Sequence, residues 1–168
     1  MQIIPGVYLI NGFPYGQHQN GYCIKTGDAQ VLIDSGDLET PTLPLVERNC
    51  ERWGIDIARS SHLLITHSHF DHSSHAARLQ KNGTNIVCSR PCADALAAGD
   101  DRCVGFAAHG RFEPCTADRI VDDGEVFTVG SLRFTCMSAP GHADSSIVPD
   151  NPQRHGFMVC GRHYHDGA

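Results

Sequence analysis

Leu63-Leu64-Ile65-Thr66-His67-Ser68-His69-Phe70-Asp71-His72-Ser73-Ser74-His75 is the stretch on which the reading of this chain turns. Leu63 to Ile65 is a short apolar run and reads as a buried strand. Three histidines and an aspartate follow within six residues, His67 to His72. Ser73 to Lys81 has helix-forming composition and stops at Asn82-Gly83, a helix C-terminal signal. The polar cluster therefore falls on a strand-to-helix turn, a place where α/β sheets present functional side chains. Imidazole and carboxylate are ligands that suit zinc, iron and manganese. A lone histidine there reads as surface decoration, whereas H-x-H-x-D-H directly after an apolar strand reads as a metal site.

Working outward, Val7 to Ile10 reads as a first strand, and Tyr22 to Thr26 with Gln30 to Ile33 as a hairpin around Gly27-Asp28. The second strand of that hairpin ends in Asp34-Ser35-Gly36. Asp34 there either caps a turn or orients something at the strand end. Between the first strand and the hairpin, residues 11–20 form a turn-rich loop carrying Phe13, Tyr15 and His18.

Thr40 to Gly54 is a helix candidate with Leu43, Val46, Cys50 and Trp53 on one face. Asn85 to Ser89 is a further strand, and Pro91 opens a helix through Ala98. Asp100 to Pro114 lacks a period and reads as irregular, with Phe106, His109 and Phe112 as candidate pocket residues. Ile120-Val121, Glu125 to Val129 and Leu132 to Met137 are short strands, the last leading into Ala139-Pro140-Gly141-His142. Ser146 to Val148 and Phe157 to Cys160 read as a hairpin joined by a polar turn over 149–156. Ile33, Leu64, Ile65, Val87, Phe134 and Val159 are the expected buried sheet residues.

Composition limits the function classes. The chain has 168 residues, 40% of them hydrophobic and 19% charged, enough for one domain over residues 1–168 with a real core. A net charge of -6 leaves no basic face for nucleic acid. No run approaches a membrane span and no signal peptide opens the sequence, so a cytoplasmic location and no membrane association are expected. The eight cysteines include no C-x-x-C pair, and Cys23, Cys88, Cys136 and Cys160 sit in apolar runs, so free core thiols are expected.

Taken together, these motifs resemble the metallo-β-lactamase superfamily. Leu32-Ile33-Asp34-Ser35-Gly36 is similar to its first motif, Thr66-His67-Ser68-His69-Phe70-Asp71-His72 to its T-H-x-H-x-D-H signature, and Ala139-Pro140-Gly141-His142 with Ser146-Ile147 to its third. The resemblance implies an α/β fold, the αββα sandwich, with metal at one edge between two sheets. It implies His67, His69 and His142 as ligands of a first metal, Asp71 and His72 as ligands of a second, and Asp34 as support for a ligating histidine.

The resemblance departs from the family pattern at Gly161-Arg162, where an arginine stands at the place of a bridging aspartate. The family's last histidine would lie beyond Ala168, with His163 or His165 as the only substitutes, so the sandwich is expected to lack its C-terminal part. One tightly bound Zn2+ is accordingly expected and a second site is doubtful, with Fe or Mn as alternatives. An exposed apolar face on the second sheet, or a partner such as a second copy of the chain covering it, is expected for the same reason.

The implied activity is metal-dependent hydrolysis of an ester, thioester, lactone or lactam in a small molecule, of the glyoxalase II-like or esterase-like kind. Asp71 would accept the nucleophile's proton and pass it to the leaving group. The rival readings are a true metallo-β-lactamase, an iron-dependent persulfide dioxygenase and a non-catalytic relative. Phe13, Tyr15, His18 and His109 are the candidate substrate contacts.

Overall fold

A computed structural model describes residues 1–12, 19–36, 42–104, 112–151 and 157–158. The strands are β1 (Gln2–Ile4), β2 (Val7–Asn11), β3 (Gly21–Lys25), β4 (Gln30–Ile33), β5 (His62–Leu64), β6 (Asn85–Cys88), β7 (Arg119–Ile120), β8 (Val126–Val129), β9 (Leu132–Ser138), β10 (Ile147–Asn151) and β11 (Phe157–Met158). The helices are α1 (Thr42–Glu51), α2 (Phe70–Ser73), α3 (Ala76–Lys81), α4 (Arg90–Ala98) and α5 (Asp101–Val104), with a short 3-10 turn at Ile57–Arg59.

Two sheets result. The first runs β1-β2-β3-β4-β5-β6-β7 and the second β11-β10-β9-β8. Pairing in the first is antiparallel up to β3/β4 and parallel from β4 to β7. The second is antiparallel throughout.

Side-chain alternation assigns the layers. In β4, Leu32 joins a core shared with the helices, while Val31 and Ile33 join a core shared with the second sheet. Leu63 and Leu64 divide the same way, as do Ile86 and Val87. With both faces buried, these strands read as unbroken apolar runs, as parallel strands do. The helix-side core takes Val46 and Cys50 from α1, Ala77 and Leu79 from α3, and Cys92 and Leu96 from α4. Between the sheets lie Phe127, Val129, Leu132, Phe134 and Cys136, with Phe127 and Phe134 stacked at 5.2 Å and 22°. The layers are thus helices, first sheet, second sheet.

Of the expected core residues, Ile33, Leu64, Val87 and Phe134 lie between the sheets. Ile65 packs on the helix side, and Val159 lies outside the described residues.

Several expectations need correcting. Trp53 falls past the end of α1 and is 40% exposed, tilted against Tyr8 at 5.4 Å instead of sitting in the core. The helix expected over 73–81 is broken: α2 ends at Ser73 and α3 begins at Ala76. The break has a cause: the His75 backbone N–H is given to Ser35 Oγ at 3.2 Å, and Ser73 and Ser74 hydroxyls bond back to His69 and Phe70 carbonyls.

Phe112 is buried in the helix-side core and not in a pocket. The irregular segment after Asp100 contains α5. Pro149 to Asn151 belong to β10 and not to a turn, with Pro149 opposite Cys136. The outward positions of the second sheet include Val126, Thr128, Arg133, Thr135 and Met137, with Val148 paired to Met137; Val126 is the exposed large apolar residue among them. No described helix is long and apolar enough to cross a membrane.

Seven cysteines, at 23, 50, 88, 92, 103, 115 and 136, are free and buried. Burial pushes the thiols of Cys50, Cys103 and Cys115 up to about 12 and that of Cys136 to about 11. The thiolate is the reactive form, so these groups are inert in the folded chain. A colorimetric disulfide reagent at pH 8 is expected to leave the seven buried thiols unlabelled in the native chain and to titrate all eight of the sequence's cysteines after denaturation. Rapid native labelling of more than one would show that the helix-side core is open.

Candidate metal centre

The site is built at one edge of the first sheet. Strands β4, β5 and β6 run parallel, so their C-terminal ends emerge on the same side. β4 ends in Asp34 and β5 in the Thr66–His69 loop. The turn after β9 comes to the same place, since Ile147 N–H donates to Thr66 O at 2.8 Å.

Asp34 ties this edge together. Its carboxylate accepts from Thr66 N–H and from the Thr66 hydroxyl, each at 2.8 Å. It lies 2.8 Å from His72 Nδ1 as well. Asp34 is also the non-glycine residue with positive φ among those described, at 58°. Aspartate tolerates that left-handed conformation better than most residues.

Two histidine tautomers follow from this clamp. The single proton of the Thr66 hydroxyl goes to Asp34, so Thr66 Oγ1 accepts from His67 Nδ1, 3.0 Å away. His72 Nδ1 likewise donates to Asp34. Both rings then present Nε2 as the atom with a lone pair, the form a metal requires. Burial disfavours charge on His72, but the charge of and hydrogen bond to Asp34, with Asp71, hold its pKa above the ordinary imidazole value.

His67, His69 and His142 converge. One nitrogen from each lies within 4.8 Å of those of the other two, and His69 Nδ1 and His142 Nε2 are 3.1 Å apart. The rings meet edge to face, with centroids 4.7 to 5.0 Å apart. Ligands about 2.0–2.1 Å from a tetrahedral zinc stand roughly 3.3 Å from one another. Small side-chain rotations close the difference, so this donor set fits a divalent ion. His67 is buried, His69 half-buried and His142 exposed, which opens the site to solvent on the His142 side.

Asp71 is buried beside this cluster, its Oδ2 3.5 Å from His72 Nε2, beyond a good hydrogen bond. The rings of His67 and His72 are 4.1 Å apart. Asp71 and His72 thus stand next to the three-histidine point, and among the described residues they form no separate group of three ligands. A cleft of about 290 Å³ opens against His69, lined also by Ser68, Pro91, Arg102, Asp144 and Ser145. Arg102 is held by both oxygens of Asp100.

Phe13, Tyr15, His18 and His109, and equally Arg162, His163 and His165, lie outside the described residues. Sequence reasoning missed Thr66 as the link between Asp34 and His67, and Ser68 and Ser145 as cleft walls. Hydroxyl residues in a loop carry no periodic or charge signal.

Replacing Asp34 with alanine removes the acceptor for three donors in the interior. A hydrogen bond to a charged group contributes about 1.5–3 kcal/mol, so Asp34→Ala is expected to lower stability by at least that amount. Urea unfolding of both chains measures it. A change below about 0.5 kcal/mol would show that the clamp is dispensable.

Comparison with known proteins agrees with this geometry. Residues 14–154 match the family described as the metallo-beta-lactamase superfamily. Among curated relatives, the thioesterase pkgB of Emericella nidulans is 24% identical over 86% of this chain and 38% of its own length. The acyl-coenzyme A thioesterase MBLAC2 of Homo sapiens is 26% identical over 91% of this chain and 61% of its own. Among solved structures, BJP-1, a subclass B3 metallo-beta-lactamase of Bradyrhizobium japonicum, superposes with a TM-score of 0.78 at 22% identity, covering 90% of this chain and 55% of that one. A Cronobacter sakazakii metallo-beta-lactamase with a HARLDQ motif gives a TM-score of 0.77 at 24% identity, covering 94% and 61%. The chain spans about 40% of the length of several curated relatives. The helix–sheet–sheet layering is that of the αββα sandwich, and the chain belongs to the metallo-beta-lactamase superfamily.

Proposed function

We propose that this chain is the catalytic part of a metal-dependent hydrolase acting on a thioester or related acyl bond of a small molecule. The observation that carries the reading is the convergence of His67, His69 and His142 within 4.8 Å, with the buried Asp71 beside them. The thioesterase names of two curated relatives favour a thioester over a lactam.

His67 Nε2, His69 Nδ1 and His142 Nε2 would hold the ion, for which zinc is the first choice and iron or manganese the alternatives. A divalent metal so held supplies Lewis acidity, making water a nucleophile near neutral pH and polarising a carbonyl. The remaining work falls to the chain. Thr66 and Asp34 fix the tautomer of His67, and Asp34 fixes that of His72. Asp71, buried beside the histidines with its Oδ2 3.5 Å from His72 Nε2, accepts the proton of the attacking water on a carboxylate oxygen. The same oxygen returns it to the departing thiolate. The cleft against His69 receives one arm of the substrate.

A β-lactam is the second reading, favoured by the lactamase folds that superpose on the chain. A panel of acyl thioesters with thiol release as readout, run beside nitrocefin, separates the two. Thioester turnover with nitrocefin untouched is expected, and the reverse pattern overturns the proposal. Asp71→Asn is expected to lower kcat by about 10²–10⁴ while the metal content stays unchanged; loss of the metal instead would make Asp71 a ligand.

Metal stoichiometry follows from the same geometry. Equilibrium dialysis with elemental analysis is expected to find one tightly held ion per chain, lost in the double variant His67→Ala, His69→Ala. Two tight ions per chain would assign Asp71 and His72 to a second site.

A further inference from the structure

The three histidines do not share a framework. His67 and His69 hang from the end of β5 in the first sheet, while His142 sits between β9 and β10 of the second. The two sheets pack mainly through apolar side chains, which are non-directional, with the Ile147 N–H bond to Thr66 O as a backbone link beside the site. Packing alone therefore sets the distance between sheets better than it sets the place of one exposed imidazole. His142 follows Gly141 at φ 153°, and its ring is exposed. Something directional must set its position against the other two.

Besides Ile147 N–H on Thr66 O and the 3.1 Å contact of His142 Nε2 with His69 Nδ1, Ser145, buried three residues after His142, makes the side-chain contacts that tie this turn to the ligand loop. Its Oγ accepts from Ser68 N–H at 3.1 Å and lies 3.2 Å from Ser68 Oγ. Ser68 Oγ spends its one proton on Arg102 O at 2.9 Å, so the hydroxyl pair is donated by Ser145. Ser145 thus both gives to and takes from the residue that separates His67 and His69. Its carbonyl is held from the other side by Ser89 Oγ at 2.7 Å, and Ser89 is the N-cap of α4. Ser73 Oγ holds the Ser68 carbonyl at 2.8 Å, so the receiving side is fixed too.

We propose that Ser145, acting through Ser68, is a positioning residue that sets His142 against His67 and His69 and so controls metal affinity. The inference rests on the three-histidine reading of the site. In this role Ser145 acts through Ser68 and is not itself a ligand of the metal. Its hydroxyl pair with Ser68 bolts the turn of the second sheet to the loop of the first, within a few residues of all three ligands.

A second cross-sheet hydroxyl contact provides the control. Ser131 Oγ donates to Asp28 Oδ1 at 2.8 Å, joining the β8–β9 turn to the β3–β4 turn away from the histidines. If Ser145 only helped the sheets adhere, Ser145→Ala and Ser131→Ala would act alike on metal binding.

The experiment measures zinc affinity of the full 168-residue chain by competition with a chromophoric chelator, and the thermal midpoint of the metal-free form. Outer partners of metal ligands typically alter affinity about 10–100-fold, and Ser145→Ala is expected to weaken zinc by that factor. Ser131→Ala is expected to leave affinity unchanged, and Ser145→Thr, which keeps the hydroxyl, to restore most of it. The Co2+-loaded Ser145→Ala chain should show an altered visible spectrum, since that reports ligand geometry.

Should Ser145→Ala not fold, Ser68→Ala deletes the acceptor of the Ser145 proton and carries the same expectation. Native affinity in Ser145→Ala or in its substitute, or an equal loss in Ser131→Ala, overturns the inference. His142→Ala run in parallel tells the two levels apart. If it binds zinc like the parent, or the parent binds none, the three-histidine reading fails; if it alone loses zinc, only the role of Ser145 fails.

Discussion

The Asp34 carboxylate is the constraint on which the rest of the site depends. Its oxygens collect the Thr66 amide, the Thr66 hydroxyl and His72 Nδ1, so the ends of β4 and β5 and the start of α2 share one acceptor. Backbone contacts run the same way: Asp34 N–H donates to Leu64 O and Ser35 N–H to His72 O. A non-glycine residue at φ 58° costs about 1–3 kcal/mol. Three hydrogen bonds to a carboxylate, at about 1.5–3 kcal/mol each, outweigh that cost. The backbone is held in its unfavourable conformation because the side chain is needed where only that conformation puts it.

Parallel pairing explains why the site lies at this edge. The switch from antiparallel to parallel at β4/β5 sends successive strand ends to one side, each delivering a polar loop. Asp34, the His67 loop and Ser89 arrive in consecutive strands. The second sheet adds the fourth contribution through its β9–β10 turn, anchored by Ile147 N–H on Thr66 O. A centre drawn from two sheets forms only when the core between them, with Phe127 and Phe134 stacked in it, is closed. Metal binding and inter-sheet packing are therefore thermodynamically linked.

Much of this was legible in the sequence, for reasons that also explain the misses. Apolar runs such as Val31 to Ile33 and Leu63 to Ile65 announce strands because both faces are buried. The H-x-H-x-D-H spacing pointed to a polar cluster at a strand end, and the structure brings His67 and His69 from it together with His142. Trp53 misled because helical spacing carries it onto the face of Val46 and Cys50, while the helix itself stops two residues earlier. The break between α2 and α3 was invisible because it depends on Ser35, forty residues away in sequence, taking the His75 amide. Phe112 and Pro149 failed for a similar reason: tertiary packing and strand pairing override local composition.

Unequal burial of the three histidines says how the site divides its tasks. His67 is almost wholly enclosed and held through Thr66, so its position is settled by folding. His69 is half-buried, lines the cleft, and faces both a potential ion and a potential substrate. His142 is exposed and arrives on a turn from the other sheet, so its place has the weakest support from packing. A ligand set is only as well organised as its loosest member, because ordering that side chain is a cost met at the moment of binding. The buried serines around Ser145 lie where that cost is decided. Their hydrogen bonds run both ways across the gap: Ser145 gives its proton to Ser68 in the loop of the first sheet, and Ser89 gives its own to the Ser145 carbonyl. Directional bonds between the two apolar layers, Ile147 N–H to Thr66 O and the Ser145–Ser68 pair, hold the His142 turn against the loop of His67 and His69.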